Sequence, residues 1–447
     1  MNITGHKTWP KLTSPDEFRF LADLVLKHST GDHTLVSLYD QQSGTTRFAN
    51  NQIVQNVDTR RGFLSVTVAF GRRHGTAGTT DFTAGAVQET VAGATQIARL
   101  SPDDPEYLPP VKPQSYLALP TTRAETAAAG PARRLEYTNE AIGQCRMENL
   151  GAAGIVSSSI ATVGVAANTG LFAYEERTEA RFSLTAQAGE ATGWGATAHR
   201  SIDHLRVQER TLAAIDKSKR GLEVRELSPG RYTVILEPAA VAGLWSSLLW
   251  ALDAKSYEKG TSAFSGKLGQ SIVDKRLTLR NLPAHEDLLG IGFTTEGLPT
   301  MTSDWITEGR LTQLAYDRFT AKGRGIDKIP TLDAPCLSGK GPSLPTLQEL
   351  IKSTERAILV TNFWYIRTVN PTDLTLTGMT RDGTYLVENG TIVSAVKNFR
   401  FHESPLRVFN RIASFTNPAE AITSETGKLL VPAMMLHDFH FSSVTRF

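Results

Sequence analysis

Hydrophobic side chains recur at helical spacing near the start of the chain, at Phe18, Leu21, Leu24 and Val25, directly after Ser14-Pro15-Asp16-Glu17. A hydroxyl cap, a first-turn proline and a glutamate three positions on form a capping box, so the opening element is a helix. The pattern then turns to alternation over residues 33–39, 45–48, 53–59 and 63–70, broken at Gly44, Asn50-Asn51 and Gly62, which predicts antiparallel strands. Residues 83–100 return to a helical period through Val87, Val91, Ala94 and Ala98, and 102–113 form a proline-punctuated connection. The Ala-rich stretch 122–149 reads as helix, with Gly130-Pro131 forcing a break or restart. Strands at 155–165, 170–188 and 193–201 and a helix at 207–219 follow. Strand runs bracketed by helices predict an α+β fold for this half, with an antiparallel sheet and flanking helices.

The boundary is expected within 222–232, around the turn Ser228-Pro-Gly230, giving domains 1–224 and 225–447. Beyond it come a strand of β-branched residues ending at Pro238, which can open a helix because its missing N–H would be unpaired there anyway, and an apolar helix carrying Trp245, Ser246, Ser247 and Trp250. Short strands are predicted at 272–279, 290–293, 305–311, 358–368, 374–381, 383–389 and 391–400, with Asp382-Gly383 and Asn389-Gly390 as tight turns. The second half is therefore expected to be a curved, β-rich domain.

Composition narrows the function classes. A chain of 447 residues exceeds the size at which one core usually stops growing, and two domains follow. With 47 basic against 45 acidic residues, a formal charge of +2 gives no electrostatic case for nucleic acid or an anionic membrane as partner. Cys145 and Cys336 lie far apart without a CxxC neighbour, which argues against a disulfide framework or a cysteine-based zinc site and suits a cytoplasmic setting. The N-terminus lacks the apolar run of a secretory signal, and the longest apolar stretch, 241–252, is too short to span a bilayer, so a soluble protein is expected.

The strand-Pro238-helix unit, Gly260-Thr-Ser-Ala-Phe-Ser-Gly-Lys-Leu-Gly269, Phe293-Thr-Thr-Glu-Gly297, Thr377-Gly-Met-Thr-Arg-Asp-Gly383 and the tail from Asn362 to Arg411 together resemble the TldD/TldE (PmbA) family of zinc peptidases. In that family the catalytic TldD subunit carries an HExxxH motif on this helix and a distal cysteine, whereas TldE lacks both. With the strand and Pro238 in register, the motif's first His, Glu and second His fall on Ser246, Ser247 and Ala251, and the cysteine near Ser424. The resemblance thus implies a TldE-like chain with no metal or cofactor of its own, zinc being expected on a TldD-like partner subunit of a hetero-oligomer, with a peptide as substrate.

Other candidate chemistry reads weakly. His285-Glu286 lacks a second His at zincin spacing, Leu289 or Gly290 standing there instead, and the surrounding Pro and Gly predict a loop. His437 and His440 would face opposite sides of an extended strand, suiting an edge or terminal surface better than a metal site, and His199 and His204 have no further support. Ser246-Ser247 lacks a nucleophile-elbow pattern, so small residues permitting tryptophan packing is the plainer reading. Lys267 is followed by Leu268 rather than Ser or Thr, which rejects a P-loop and leaves Gly266 and Gly269 as turn residues, beside the cleft by resemblance. In Asn362-Phe-Trp-Tyr-Ile-Arg367, alternation places Phe363, Tyr365 and Arg367 on one face and Asn362, Trp364 and Ile366 on the other. This strand is the expected contact for an extended peptide or a partner subunit, and an ordinary sheet strand with a surface arginine is the alternative. Two further functions stay open at this point: a self-sufficient hydrolase built on Asp253, Glu258 or Glu296 with a serine, and a homodimeric peptide-binding protein without protease activity.

Overall fold

The computed structural model describes residues 11–222, 224–423 and 427–445. The chain opens with α1 (Pro15–His28), whose capping box forms as its sequence requires, Ser14 accepting from the Glu17 N–H while Glu17 accepts from the Ser14 N–H. Long antiparallel strands follow: β1 (His33–Ala49), β2 (Gln52–Phe70) and β3 (Arg73–Thr79), then α2 (Ala84–Leu100), the short α3 (Ala124–Ala127) and α4 (Pro131–Met147). Strands β4 (Gly151–Ala167), β5 (Phe172–Ala188) and β6 (Ala191–His199) complete a six-stranded sheet in the order β3-β2-β1-β4-β5-β6, and α5 (Val207–Arg220) packs on β5 and β6. Gly44 and Gly62 do not interrupt strands. Each lies inside one long strand, where bulky neighbours leave no room for a side chain: an added Cβ on Gly44 would overlap the Arg134 guanidinium, and one on Gly62 the Phe82 ring.

The C-terminal part starts with β7 (Val224–Arg225), β8 (Gly230–Leu236), α6 (Pro238–Trp250) and α7 (Ala254–Glu258). It continues through β9 (Leu277–Asn281), β10 (Ser303–Thr307), β11 (Arg310–Leu311), α8 (Arg318–Gly323), β12 (Pro335–Gly339) and α9 (Leu347–Lys352). Then come β13 (Arg356–Asn370), β14 (Thr375–Glu388), β15 (Thr391–Val396), β16 (Phe399–Glu403) and α10 (Pro405–Val408), followed by β17 (Ile412–Phe415), β18 (Ala419–Thr423), β19 (Gly427–Val431) and β20 (Met434–Val444). Strands β13, β8, β20, β16 and β14 pair in that order, and β14 pairs back to β13, so the strands close into a ring. Its buried face carries Phe363, Phe399, Phe401, Phe439 and Phe441, whose ring centroids lie 4.6 to 5.8 Å apart, in the tilted and offset range that aromatic pairs prefer. A second sheet runs β11-β10-β9-β12-β19-β18.

Several local expectations are corrected. Asp382-Gly383 is not a tight turn: β14 runs straight through it, with Asp382 at φ 57° and Gly383 at φ 129° at a register shift against β13. Residues 290–293 form no strand beyond an isolated bridge from Phe293 to Pro299. His437 and His440 sit on β20, which is paired on both sides within the ring and so is not an edge, while His437 is exposed as a terminal surface position would be. Asn389-Gly390 makes the predicted hairpin between β14 and β15. No helix among the described residues is long and apolar enough to cross a membrane.

The two parts of the chain meet where β6 lies against β14 and β18. The junction is held by a buried ionic network. Glu420 on β18 and Lys428 on β19 pair at 3.1 Å with only 2% of either side chain exposed, and Arg206 and Arg210 reach Glu420 at 2.8 and 3.1 Å. The Ala198 N–H donates to Glu420 at 3.0 Å, and the Lys428 ammonium donates to the Ala198 carbonyl, so β6 is tied to the β18–β19 hairpin by both signs of charge. A buried charge without such partners would be strongly destabilising.

Candidate active-site groove

Helix α6 follows β8 without a loop because Glu237-Pro238 supplies an extended residue and a first-turn proline. Ala239, Gly243 and Ser246 recur at helical spacing and line one wall of a cavity of about 330 Å3. The facing wall is β13. Its parallel pairing with β8 covers only Ile358 to Val360, so from 361 onward this edge leaves β8 behind and Asn362 to Ile366 line the cavity. Thr185 and Trp194 of the first sheet and Ile422 and Thr423 of β18 close the remaining sides. Gly243 has a steric reason, since a Cβ there would stand 3.2 Å from Ile366 Cδ1.

The vacated motif positions separate in space. Ser246 lies in the groove wall, buried, with its hydroxyl donating to the Ala242 carbonyl at 2.9 Å, one turn back. Ser247 and Ala251 do not line the cavity; Ala251 caps the helix and its carbonyl accepts from Ser262 at 2.6 Å. Ser424 lies outside the described residues, immediately after Thr423 of the groove rim. Three hydroxyls and a methyl, on Ser246, Ser247, Ser424 and Ala251, offer no imidazole, thiolate or carboxylate, so these side chains do not fit a zinc ion. Among the described residues no three His, Cys, Asp or Glu side chains gather where they could hold a metal.

The predicted face assignment on β13 is overturned by a bulge. Tyr365 takes φ 56°, and the register with β14 shifts between Trp364 and Arg367. The extra residue keeps Trp364 and Arg367 on one face, opposite Met379 and Thr377, while Phe363 turns inward to the aromatic cluster. Trp364 and Tyr365 are half exposed, with Arg381 and Arg367 stacked over them at 4.6 and 4.3 Å. Gly266 and Gly269 lie elsewhere, in a turn that requires their positive φ of 74° and 79°, and they do not line the groove.

Asp382 is one of the groove residues that sequence reasoning missed, because Asp-Gly between alternating runs read as a hairpin turn. It is buried and lines both this groove and a neighbouring cavity of about 700 Å3. Burial raises its carboxyl above the ordinary range, against the opposing pull of Arg381, the Thr192 hydroxyl at 3.1 Å, Lys217 and Asn362.

The histidines take other places. His199 and His204 pack with tilted rings, centroids 4.7 Å apart, and share a cavity of about 580 Å3 with His285, a grouping that spacing in sequence could not reveal. The His199 imidazole is lowered by burial and by Lys428, and its Nδ1 accepts from the Ser201 N–H. His437 and His440 bond separately, to the Thr233 hydroxyl and the His402 carbonyl.

Family models described as the PmbA/TldA metallopeptidase central domain and C-terminal domain match residues 122–221 and 229–443. The chain belongs to the TldD/TldE (PmbA) family. It is 25% identical over 437 residues to the Escherichia coli O157:H7 protein named Metalloprotease PmbA, covering 93% of this chain and 94% of that one. The crystal structure of TldE from Thermococcus kodakarensis superimposes with a TM-score of 0.86 at 19% identity over 95% of this chain and 99% of that chain. A Thermotoga maritima chain matches at a TM-score of 0.84 and 16% identity, over 95% and 99%. These structural likenesses establish the mixed fold, with its antiparallel N-terminal sheet and strand-rich C-terminal part.

Proposed function

We propose that this member of a metallopeptidase family is a TldE-like, non-metal subunit that captures an extended peptide and works with a zinc-bearing, TldD-like chain in the cytoplasm. The observation that carries the reading is the groove itself, in which the α6 position of the family's first motif histidine, here Ser246, faces the edge of β13. An edge freed from its strand partner binds a peptide by main-chain hydrogen bonds with little sequence preference. The motif positions Ser246, Ser247 and Ala251 carry neither the ligands nor the general base of a zinc peptidase, so the hydrolytic step is assigned to the partner and substrate positioning to this chain. Ser246 lends little support to the self-sufficient hydrolase, because its hydroxyl donates back to the Ala242 carbonyl of its own helix.

The test combines the purified chain and the zinc-bearing partner with a labelled unfolded peptide. The chain alone should bind peptide without cleaving it, and the mixture should cleave. Cleavage by the chain alone, surviving chelation, would overturn the proposal.

A further inference from the structure

At the rim of the groove, the bulge at Tyr365 builds a ledge on the outer face of the strand ring. Register places Trp364 and Arg400 opposite Met379, and Arg367 and His402 opposite Thr377, so these side chains share one face with Arg381. Arg381 stacks over Trp364 and Arg367 over Tyr365. Such stacking orients a planar guanidinium while leaving its N–H edge free to grip a carboxylate with two bonds.

Charge on this ledge is not balanced internally. Among the described residues neither Arg367 nor Arg400 has a carboxylate within ion-pair distance; Arg367 bonds to its own Ile366 carbonyl, and Arg400 to the Thr377 hydroxyl and Met379 sulfur. Arg381 has one acidic neighbour, Asp382, at 3.7 Å, but that carboxyl is buried and held by Thr192. Elsewhere arginines such as Arg60, Arg134 and Arg276 meet carboxylates at 2.6 to 2.8 Å. The left-handed conformation of an aromatic residue is costly, and here it is what brings the aromatic and basic side chains together.

We propose that this ledge, continuous with the groove through Trp364, Tyr365 and Arg381, selects peptides that carry a carboxylate where they leave the groove, with Arg367 and Arg381 as the recognising residues. The inference rests on the reading of the groove as a peptide site.

Fluorescence anisotropy on the full-length chain tests it with three labelled peptides of one length and apolar content: acidic side chains with an amidated C-terminus, neutral with a free C-terminus, and neutral amidated. One of the first two should bind roughly tenfold tighter than the third, the scale of one charge-assisted contact. The advantage should shrink with added salt and vanish in the Arg367→Gln/Arg381→Gln double variant. An unchanged circular dichroism spectrum and thermal midpoint show that the variant is folded, and which carboxylate peptide wins identifies side chain or chain terminus. Equal affinity for all three, unchanged in the variant, overturns the ledge and leaves the groove standing. Failure of every peptide to bind overturns the groove reading itself.

Discussion

At Gly243 an added methyl would press on Ile366 Cδ1, and a larger side chain would fill the space between α6 and β13. Helix propensity favours replacing a glycine by about 1 kcal/mol, so steric closure and stability pull in different directions. Gly243→Leu should therefore abolish peptide binding with little change in the thermal midpoint; peptide binding at wild-type affinity would show that the groove is not where the peptide lies. Asp382 offers the converse case. Its folded carboxyl is raised, so the charged form is disfavoured and its cost is felt as pH climbs through that value. Asp382→Asn keeps an acceptor for Thr192 and removes the buried charge. Urea denaturation at neutral pH should find the variant at least as stable as the parent, and a marked loss of stability would contradict this account of the site.

Among the elements, the aromatic cluster decides whether the strand ring holds its shape. Phe401 is fully buried between the tilted rings of Phe363 and Phe439, and truncating it leaves a cavity among them. Phe401→Ala should cost about 3 to 5 kcal/mol by chemical denaturation; a loss below about 1 kcal/mol would mean the ring is not packed as described. Elements with a strong local signal were legible in sequence: the Ser14 to Glu17 capping box, the Pro238 helix start and the Asn389-Gly390 hairpin all form where local chemistry dictates. The bulges were not. Asp382-Gly383 and Tyr365 carry positive φ inside continuous strands because pairing across the ring overrides local preference, and a single sequence records no cross-strand partner. That is why Phe363 and Arg367, expected on one face, end on opposite ones.

For the whole molecule, the relation between the two parts depends on Glu420 and Lys428. Burial alone would raise the Glu420 carboxyl, but Lys428, the Ala198 N–H, Arg210 and Arg206 outweigh it and hold it at about 2. A carboxyl depressed in the folded state stabilises above its unfolded value of 4.5, and that contribution is lost as pH falls from there toward about 2. Acid unfolding should thus begin within this window, and Glu420→Ala, which strands a buried ammonium, should destabilise by about 3 to 5 kcal/mol at neutral pH. An unchanged stability in that variant would show that the junction is held by other contacts. The residues of this network and of the groove are distant in sequence, so no motif announced them; Ser246 and Asn362 were legible through family resemblance, whereas Trp194, Gly243 and Asp382 became visible only when the sheet and ring met. The central claim is that the α6 site has lost its metal chemistry, and metal content after equilibrium dialysis against zinc tests it most directly. The full-length chain should retain far less than one zinc per molecule; one tightly held zinc per chain, lost when Ser246, Ser247 and Ala251 are altered, would contradict it.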